Sequence, residues 1–336
     1  MTYTFGIIGC QHGHISMFIS EMLELGHTCA GIFDDGDSGM PESIARRFGL
    51  PLVRDRDELL SPSVQIIGSS AVNNRKIDVI ELCERHGKHV MLDKPIVSGR
   101  GGLDRLANVF GRGAIQVGML LPTRFKSTTV ALKRMAEAGE LGDLVSISMR
   151  KPHKLTPSKR LDWHFSKEQN GGIIVDLLVH DFDYVRWLTG KEFKSVQSIA
   201  AKNILPEYPH FYDVTTAQIV LEGGGVAQLY ADWHTPEACW SWGDCRIFVV
   251  GTRGSAELRM SGDPAVDMGE LMFSMTHDQP FARVDTVKES LTMCGDFINR
   301  IEGRPSRVSH RDLLLVSQAT VEADERAVML NNIGSR

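Results

Sequence analysis

Short apolar runs separated by amphipathic stretches fill the first third of the chain. Residues 4–8, 27–33, 51–53, 64–68, 90–92 and 116–121 carry β-type runs. Helical spacing lies between them, from the first glycine turn to about residue 25, then over 41–48, 57–60 and 75–86. In the last of these Ile77, Ile80 and Cys83 recur on one face, and Gly87 supplies the stop. Strands alternating with helices predict a doubly wound, parallel α/β sheet. From residue 145 the period changes. Residues 145–149, 193–201, 214–221, 226–233, 247–250 and 256–260 read as strands, joined in part by tight turns at 223–225 and 251–254. That pattern predicts a mostly antiparallel open sheet in an α+β domain. Helices are expected over 123–139, 296–301 and 311–330, while 261–287 has no readable pattern. The expected domains are 1–121 and 122–336.

A chain of 336 residues suits two cores better than one. The net charge of −5 argues against nucleic acid as a partner. No apolar run reaches membrane-spanning length, and the start of the chain lacks a signal-peptide pattern. The six cysteines form no C-x-x-C pair and mostly sit in apolar runs, so they read as thiols of a reducing, cytoplasmic compartment.

Four stretches can carry chemistry. The first is the strand-to-helix turn Gly9-Cys10-Gln11-His12-Gly13-His14. Gly9 can make the tight turn of a dinucleotide site, and the helix N-terminus can offer N–H donors to phosphate. Gln11 stands where a second glycine is usual, and His14 at the third. Gln11 and His12 could add side-chain donors. Two histidines with no carboxylate or thiolate nearby in sequence make a poor metal site, so no metal is expected. The second is Asp34, ending a strand about 20 residues past the turn, where a carboxylate accepts ribose hydroxyls. Asp35 and Asp37 follow and no arginine appears before Arg46, which favours NAD over NADP. The third is Asp93-Lys94-Pro95 at the carboxyl end of a buried strand, the edge at which open α/β sheets bind ligands. The fourth is a nearly all-apolar helix after Gly171-Gly172, ending at Gly190, in which Asp176 and His180 are four apart and share a face. The pair could equally satisfy itself. Residues 150–160 form a basic, proline-broken loop before Asp162-Trp163-His164. By position it could line a substrate pocket and suit a carboxylate or phosphate, or be solvated scaffold. His153 and Trp163 are its pocket candidates, with His210, Trp233 and His234 as weaker rim residues.

Gly87-Lys88-His89-Val90 followed by Asp93-Lys94-Pro95 resembles the hallmark of the glucose-fructose oxidoreductase, inositol dehydrogenase and rhizopine catabolism family (Gfo/Idh/MocA). Asn73 matches one position of that family's Thr-Pro-Asn-x-x-His stretch, with Ala71, Val72 and Lys76 in place of its threonine, proline and histidine. Thr123-Arg124-Phe125 resembles its Arg-Phe element, and Asp176 and His180 its Asp-x-x-x-His, with Leu178 where many members have glycine. The resemblance implies a Rossmann domain followed by an open-sheet domain. It also implies an NAD cofactor contacted by Gly9, Gln11, His12, Gly13, His14, Asp34, Ser69, Asn73, Lys94 and Arg124. The implied substrate is a sugar, sugar acid or cyclitol, met by Lys94, His153, Trp163, Asp176 and His180. His180 would act as general base, Asp176 would orient it, and Lys94 would stabilise charge on the substrate oxygen. A homodimer or homotetramer through the second sheet is implied as well. Two alternatives stay open: an NAD-using lyase or glycoside hydrolase that keeps its cofactor, and a non-catalytic sensor of NAD and sugar.

Overall fold

The structure, a computed structural model, describes residues 1–36 and 38–333. Asp37, counted above among the acids after Asp34, lies outside the described residues. The chain forms two compact units. Among the described residues, the first comprises those within 1–121, 161–171 and 291–318, and the second those within 122–160, 172–290 and 319–333. The expected cut at 121/122 is one edge of this division, and two later segments also belong to the first unit.

The first unit is built on a parallel sheet of β1 (Thr4–Cys10), β2 (Thr28–Phe33), β3 (Ile66–Ser70), β4 (His89–Leu92) and β5 (Val117–Met119), in the order β2-β1-β3-β4-β5. Its central strands are buried on both faces, as their unbroken apolar runs require. Helices α1 (Ile15–Glu24), α2 (Met40–Phe48), α3 (Lys76–Arg85) and α4 (Arg100–Arg112) alternate with them. Gly68 is where α1 meets the sheet: a Cβ there would sit 2.4 Å from the Phe18 ring. The strand expected over 51–53 is only a single parallel bridge, Leu52 to Ile32. Pro51 cannot donate to a ladder, which keeps this edge short. With that bridge counted, the spatial order is 3-2-1-4-5-6, and it reverses beside β1, whose carboxyl end leads into the glycine turn. The segment 57–60 is a 3₁₀ turn, Arg56–Leu60, capped by Asp55. Later in the chain α6 (Lys167–Asn170), α9 (Met293–Ile301) and the start of α10 (His310–Glu325) belong to this unit.

The second unit holds a nine-stranded sheet. Its strands are β6 (Leu144–Pro152), β7 (Phe193–Lys202), β8 (Val214–Leu221), β9 (Val226–Asp232), β10 (Arg246–Gly251), β11 (Gly254–Arg259), β12 (Leu271–Thr276), β13 (Ala282–Arg283) and β14 (Val328–Asn331). Most neighbours are antiparallel, but β6–β9 and β7–β14 are parallel. Helices α5 (Ser127–Glu137), α7 (Ile173–Leu177) and α8 (Val179–Thr189) pack on the sheet or on each other. Alternation along the strands is regular: Ala217, Ile219, Ala227, Leu229, Ile247 and Val249 are buried while Val220, Val226, Phe248 and Val250 are exposed.

Three expectations need correction. The helix read over 311–330 ends at Glu325, and its tail is β14, paired with β7. The single helix after Gly172 is two, α7 and α8, meeting at Leu178. The unreadable 261–287 contains β12 and β13, whose burial follows no period-two alternation.

His310 closes the first unit against β5. Its Nε2 accepts a 3.0 Å hydrogen bond from the Val117 N–H, and its ring stacks on Phe110 with centroids 4.3 Å apart. Burial, then the nearby Arg300 cation, push its pKa down to about 4. An Nε2 that accepts a bond cannot also carry a proton. The folded pKa lies below the ordinary unfolded value of about 6.5, so protonation favours the unfolded chain. Stability is therefore complete above about pH 6.5 and is lost progressively as pH falls towards 4. Urea midpoints at pH 7.5, 6 and 5 should fall in that order, and His310→Gln should flatten the slope by up to about one proton. An unchanged slope in the variant would remove His310 from the account.

Candidate functional site

The glycine turn and Asp34 are tied together. Gly9 has φ +84°, and a Cβ there would lie 2.6 Å from that of Ala71, so only glycine closes the turn. Asp34 Oδ2 accepts from the Cys10 N–H and Oδ1 from Gln11 Nε2, both at short range. Oδ1 also accepts from the Gly36 N–H at 2.8 Å. Gln11, in the place of the usual second glycine, thus holds the acidic residue. The N-cap of α1, His14, makes no side-chain capping bond, and a Cβ on Gly13 would meet nothing within 4 Å. Open space at Gly13, at a helix N-terminus beside a strand-end carboxylate, leaves room for a dinucleotide, so these residues fit one.

The strand-end turn at Lys94 is fixed from behind. Lys76, fully buried, donates to Asn73 Oδ1 at 2.9 Å, to the Asp93 carbonyl at 2.9 Å and to the Lys94 carbonyl at 3.1 Å. Asn73, expected at the cofactor, donates from Nδ2 to the Asn170 carbonyl at 2.9 Å. Ser69, also expected there, is buried and its Oγ accepts from the Ala71 N–H at 3.2 Å. Lys94 itself is 7% exposed and its peptide bond to Pro95 is cis.

The carboxylate that the two histidines lack in sequence is Asp93. Its Oδ1 lies 2.9 Å from His14 Nδ1 and its Oδ2 3.1 Å from His12 Nδ1. Burial would raise Asp93, but His14, Lys76 and His12 outweigh it and hold the carboxyl well below the usual range. Burial, then His14, push His12 down to about 4 against the pull of Asp93, so it is neutral at pH 7. Three such groups can in general ligate a metal. Here the Lys76 ammonium stands 3.9 Å from Asp93 Oδ2, and a second cation would be repelled by it. The arrangement is a hydrogen-bonded anchor for the turn. Trp163 is buried in this unit and stacks on His164 at 3.7 Å, with His164 5.7 Å from His12.

In the second unit Asp176 is buried at the end of α7, its N–H bonded to the Gly172 carbonyl at 2.9 Å, and His180 is half-buried near the start of α8. Several charges of this unit are paired. Lys151 reaches Asp181 at 3.0 Å. Arg124, 1% exposed, bonds Asp183 through Nε at 2.8 Å and Nη2 at 2.6 Å. That bidentate, buried use of Arg124 departs from its expected place at the cofactor. His153 sits edge-on to Trp233 at 5.5 Å. His234 Nε2 lies 2.7 Å from Asp213 Oδ1, and His210 is exposed. Arg160, singled out by nothing in the sequence beyond its basic loop, lies over Trp233 at 4.4 Å. Lys76 and the Asp93 carboxylate were equally invisible as partners, because their contacts join distant positions.

The family model described as the GFO/IDH/MocA C-terminal domain matches residues 129–257. The oxidoreductase YrbE of Bacillus subtilis (strain 168) is 28% identical over 239 residues, 70% of this chain and 67% of its own. The myo-inositol 2-dehydrogenase of Thermotoga maritima is 27% identical over 208 residues, 60% of this chain and 58% of its own. The matched stretches span between 48% and 69% of the curated relatives' lengths. Among solved structures, a putative oxidoreductase from Erwinia carotovora atroseptica SCRI1043 superposes with a TM-score of 0.89 at 21% identity, covering 98% of this chain and 99% of that one. At that identity the likeness establishes the fold.

The Arg124–Asp183 pair separates a structural role from a cofactor role. Removing one partner of a buried bidentate pair leaves an uncompensated charge, so Arg124→Ala should cost about 3–5 kcal/mol in urea unfolding. Asp183→Asn should cost a similar amount, and the double variant much less than the sum. The milder Arg124→Met should leave the dissociation constant of the nicotinamide cofactor within about threefold of wild type. A tenfold loss of cofactor affinity in a fully folded Arg124→Met protein would return this residue to the cofactor.

Proposed function

The chain belongs to the Gfo/Idh/MocA family, and on that premise we propose that it is an NAD-dependent oxidoreductase acting on a secondary alcohol of a sugar, sugar acid or cyclitol. The observation that carries the reading is the strand-end turn, in which a buried ammonium group and a buried carboxylate hold Lys94 at the ligand-binding edge of a dinucleotide-type sheet. The names of relatives, inositol dehydrogenases among them, support the substrate class. Gly9, Gln11, Gly13 and Asp34 would hold the dinucleotide, with His12 and His14 fixing the turn. Bound nicotinamide would supply the hydride acceptor.

The chain's own residues do the rest. His180 takes the hydroxyl proton as general base, and a neutral imidazole suits that task near pH 7. Asp176 orients that ring and stabilises its protonated form. Lys94 donates to the substrate oxygen as negative charge develops there. The exposed apolar face of the second sheet, with Val220, Val226, Phe248 and Val250, supports a second copy of the chain as partner. A solution mass of one chain would refute that partner.

The cofactor assignment rests on Asp34. NAD should bind at least about tenfold more tightly than NADP, since a 2′-phosphate meets the carboxylates of Asp34 and Asp35. Asp34→Ala should narrow the gap mainly by weakening NAD. Fluorescence titrations with both cofactors test it, and equal affinities in the unmodified protein would sink the assignment.

The catalytic assignment is tested by a cycle. Lys94→Met keeps the apolar stem but removes the charge, so NAD binding should survive while turnover falls about 100-fold or more. His180→Ala should do likewise. The double variant should lose far less than the product of the two, because groups acting as a unit are not additive. Full multiplicativity would separate Lys94 from His180. Net NADH formation from a sugar distinguishes the dehydrogenase from a lyase or hydrolase that keeps its cofactor.

A further inference from the structure

Of the cations in the basic loop, the structure commits most to protein partners. Lys151 is paired with Asp181. Lys154 donates from Nζ to the Glu237 and Cys239 carbonyls, each at 2.8 Å. Arg150 lies over the Tyr230 ring at 5.0 Å. Arg160 is different. Its Nε donates to the Leu155 carbonyl at 2.7 Å and its Nη2 weakly to that of Lys154 at 3.4 Å. Those bonds engage two of the five N–H groups a guanidinium carries. Among the described residues no carboxylate forms an ion pair with it.

The guanidinium is held in place by aromatic rings. Its centre lies 4.4 Å from the Trp233 ring and 5.8 Å from that of Trp242. Trp233 is buried, while Trp242 is 52% exposed and presents a ring to solvent. The loop bearing Trp242 is sewn to the end of β6. The Lys154 N–H donates to the Trp242 carbonyl at 2.9 Å, and Thr156 Oγ1 bonds Glu237 at 2.7 Å. A Cβ on Gly243 would fall 1.7 Å from the Pro152 carbonyl oxygen, so this loop cannot be moved off without rebuilding it. An arginine stacked on indole keeps its donor fork in one plane, which matches a carboxylate bidentately. An exposed indole beside it offers an apolar face to a sugar ring.

We propose that Arg160, backed by Trp233 and flanked by Trp242, is a specificity-determining residue that receives the carboxylate of an acidic sugar. This rests on the sugar-oxidoreductase reading and narrows its substrate class from neutral polyols to uronic-type acids. Burial disfavours the Arg160 cation, and Asp176 is the carboxylate that opposes this from beyond ion-pair distance. Arg160 and Asp176 therefore belong to one electrostatic neighbourhood in the second unit. A single guanidinium balances one negative charge. A phosphate dianion would need a second cation beside it.

The test compares matched ligands on the full chain by titration calorimetry. The probes are D-glucuronate and D-galacturonate, the parent D-glucose and D-galactose, and D-glucose 6-phosphate. The acids should bind about 10-fold or more tightly than the parent sugars, with an advantage that shrinks as salt is added. Arg160→Gln should weaken the acids about 10- to 100-fold, the size of a lost charge-assisted bond, while neutral sugars change less than about threefold. Arg160→Lys should recover only part, because an ammonium lacks the fork. Equal binding of acid and parent sugar, no measurable acid binding, or strongest binding of the phosphate would each overturn the proposal. So would an Arg160→Gln protein that binds the acids undiminished. If that variant does not fold, the wild-type comparison and its salt dependence still decide. Turnover with NAD is read separately. Acid binding without NADH formation would fail the oxidoreductase reading and leave this one standing.

Discussion

The burial of Lys76 constrains everything around the strand-end turn. An ammonium group removed from water is tolerated only when its donors are used, and here three oxygens take them: Asn73 Oδ1 and the carbonyls of Asp93 and Lys94. Two of those acceptors are main-chain atoms of the turn that carries Lys94. The cost of burying one lysine thus fixes the backbone that presents another. The same ammonium, at 3.9 Å, also stabilises the charged form of Asp93. That carboxylate then reaches forward to His12 and His14 in the glycine turn. One buried cation therefore positions both the glycine turn and the residue proposed to act on substrate.

The substitution at position 11 follows a similar logic. A glycine at this point normally lets the backbone come close to a phosphate. Gln11 gives up that minimal bulk and uses its amide to hold Asp34, whose other oxygen accepts from the Cys10 N–H. Gly13, one residue after His12, keeps the open space. The open space of the turn lies one residue further on, and its acidic residue is bound in advance.

The fold was legible where one local period dominates. Alternating apolar runs and amphipathic helices placed the parallel sheet, and period-two strands placed most of the second. What escaped was set by distant partners or by composition. Helix α4 went unread because glycines at 101, 102 and 111 dilute its periodicity, although Leu103, Leu106 and Val109 form a buried stripe. Strand β14 was absorbed into a helix because its identity comes from pairing with β7, more than 120 residues earlier. In the candidate site the motif residues could be named from the sequence, but their partners could not. His14 and Asp93 are 79 positions apart, and Arg124 and Asp183 are 59. No window contains either pair, so the missing carboxylate of the histidine turn and the structural use of Arg124 appear only in the folded chain.

The same separation explains how one basic loop serves two purposes. Read as composition, residues 150–160 are a uniform patch of positive charge. Folded, they divide by what each side chain can reach. Lysine ends in a compact, flexible ammonium, and Lys151 and Lys154 turn theirs inward to a carboxylate and to loop carbonyls. Arg160 ends in a rigid plane, and an indole beneath it makes stacking the better solution than burial in an ion pair. Lys154 ties the tryptophan loop to the end of β6 and Lys151 ties β6 to α8, and that rigidity is what keeps the arginine's fork aimed. Specificity at the fork therefore depends on cations that never need to touch a ligand.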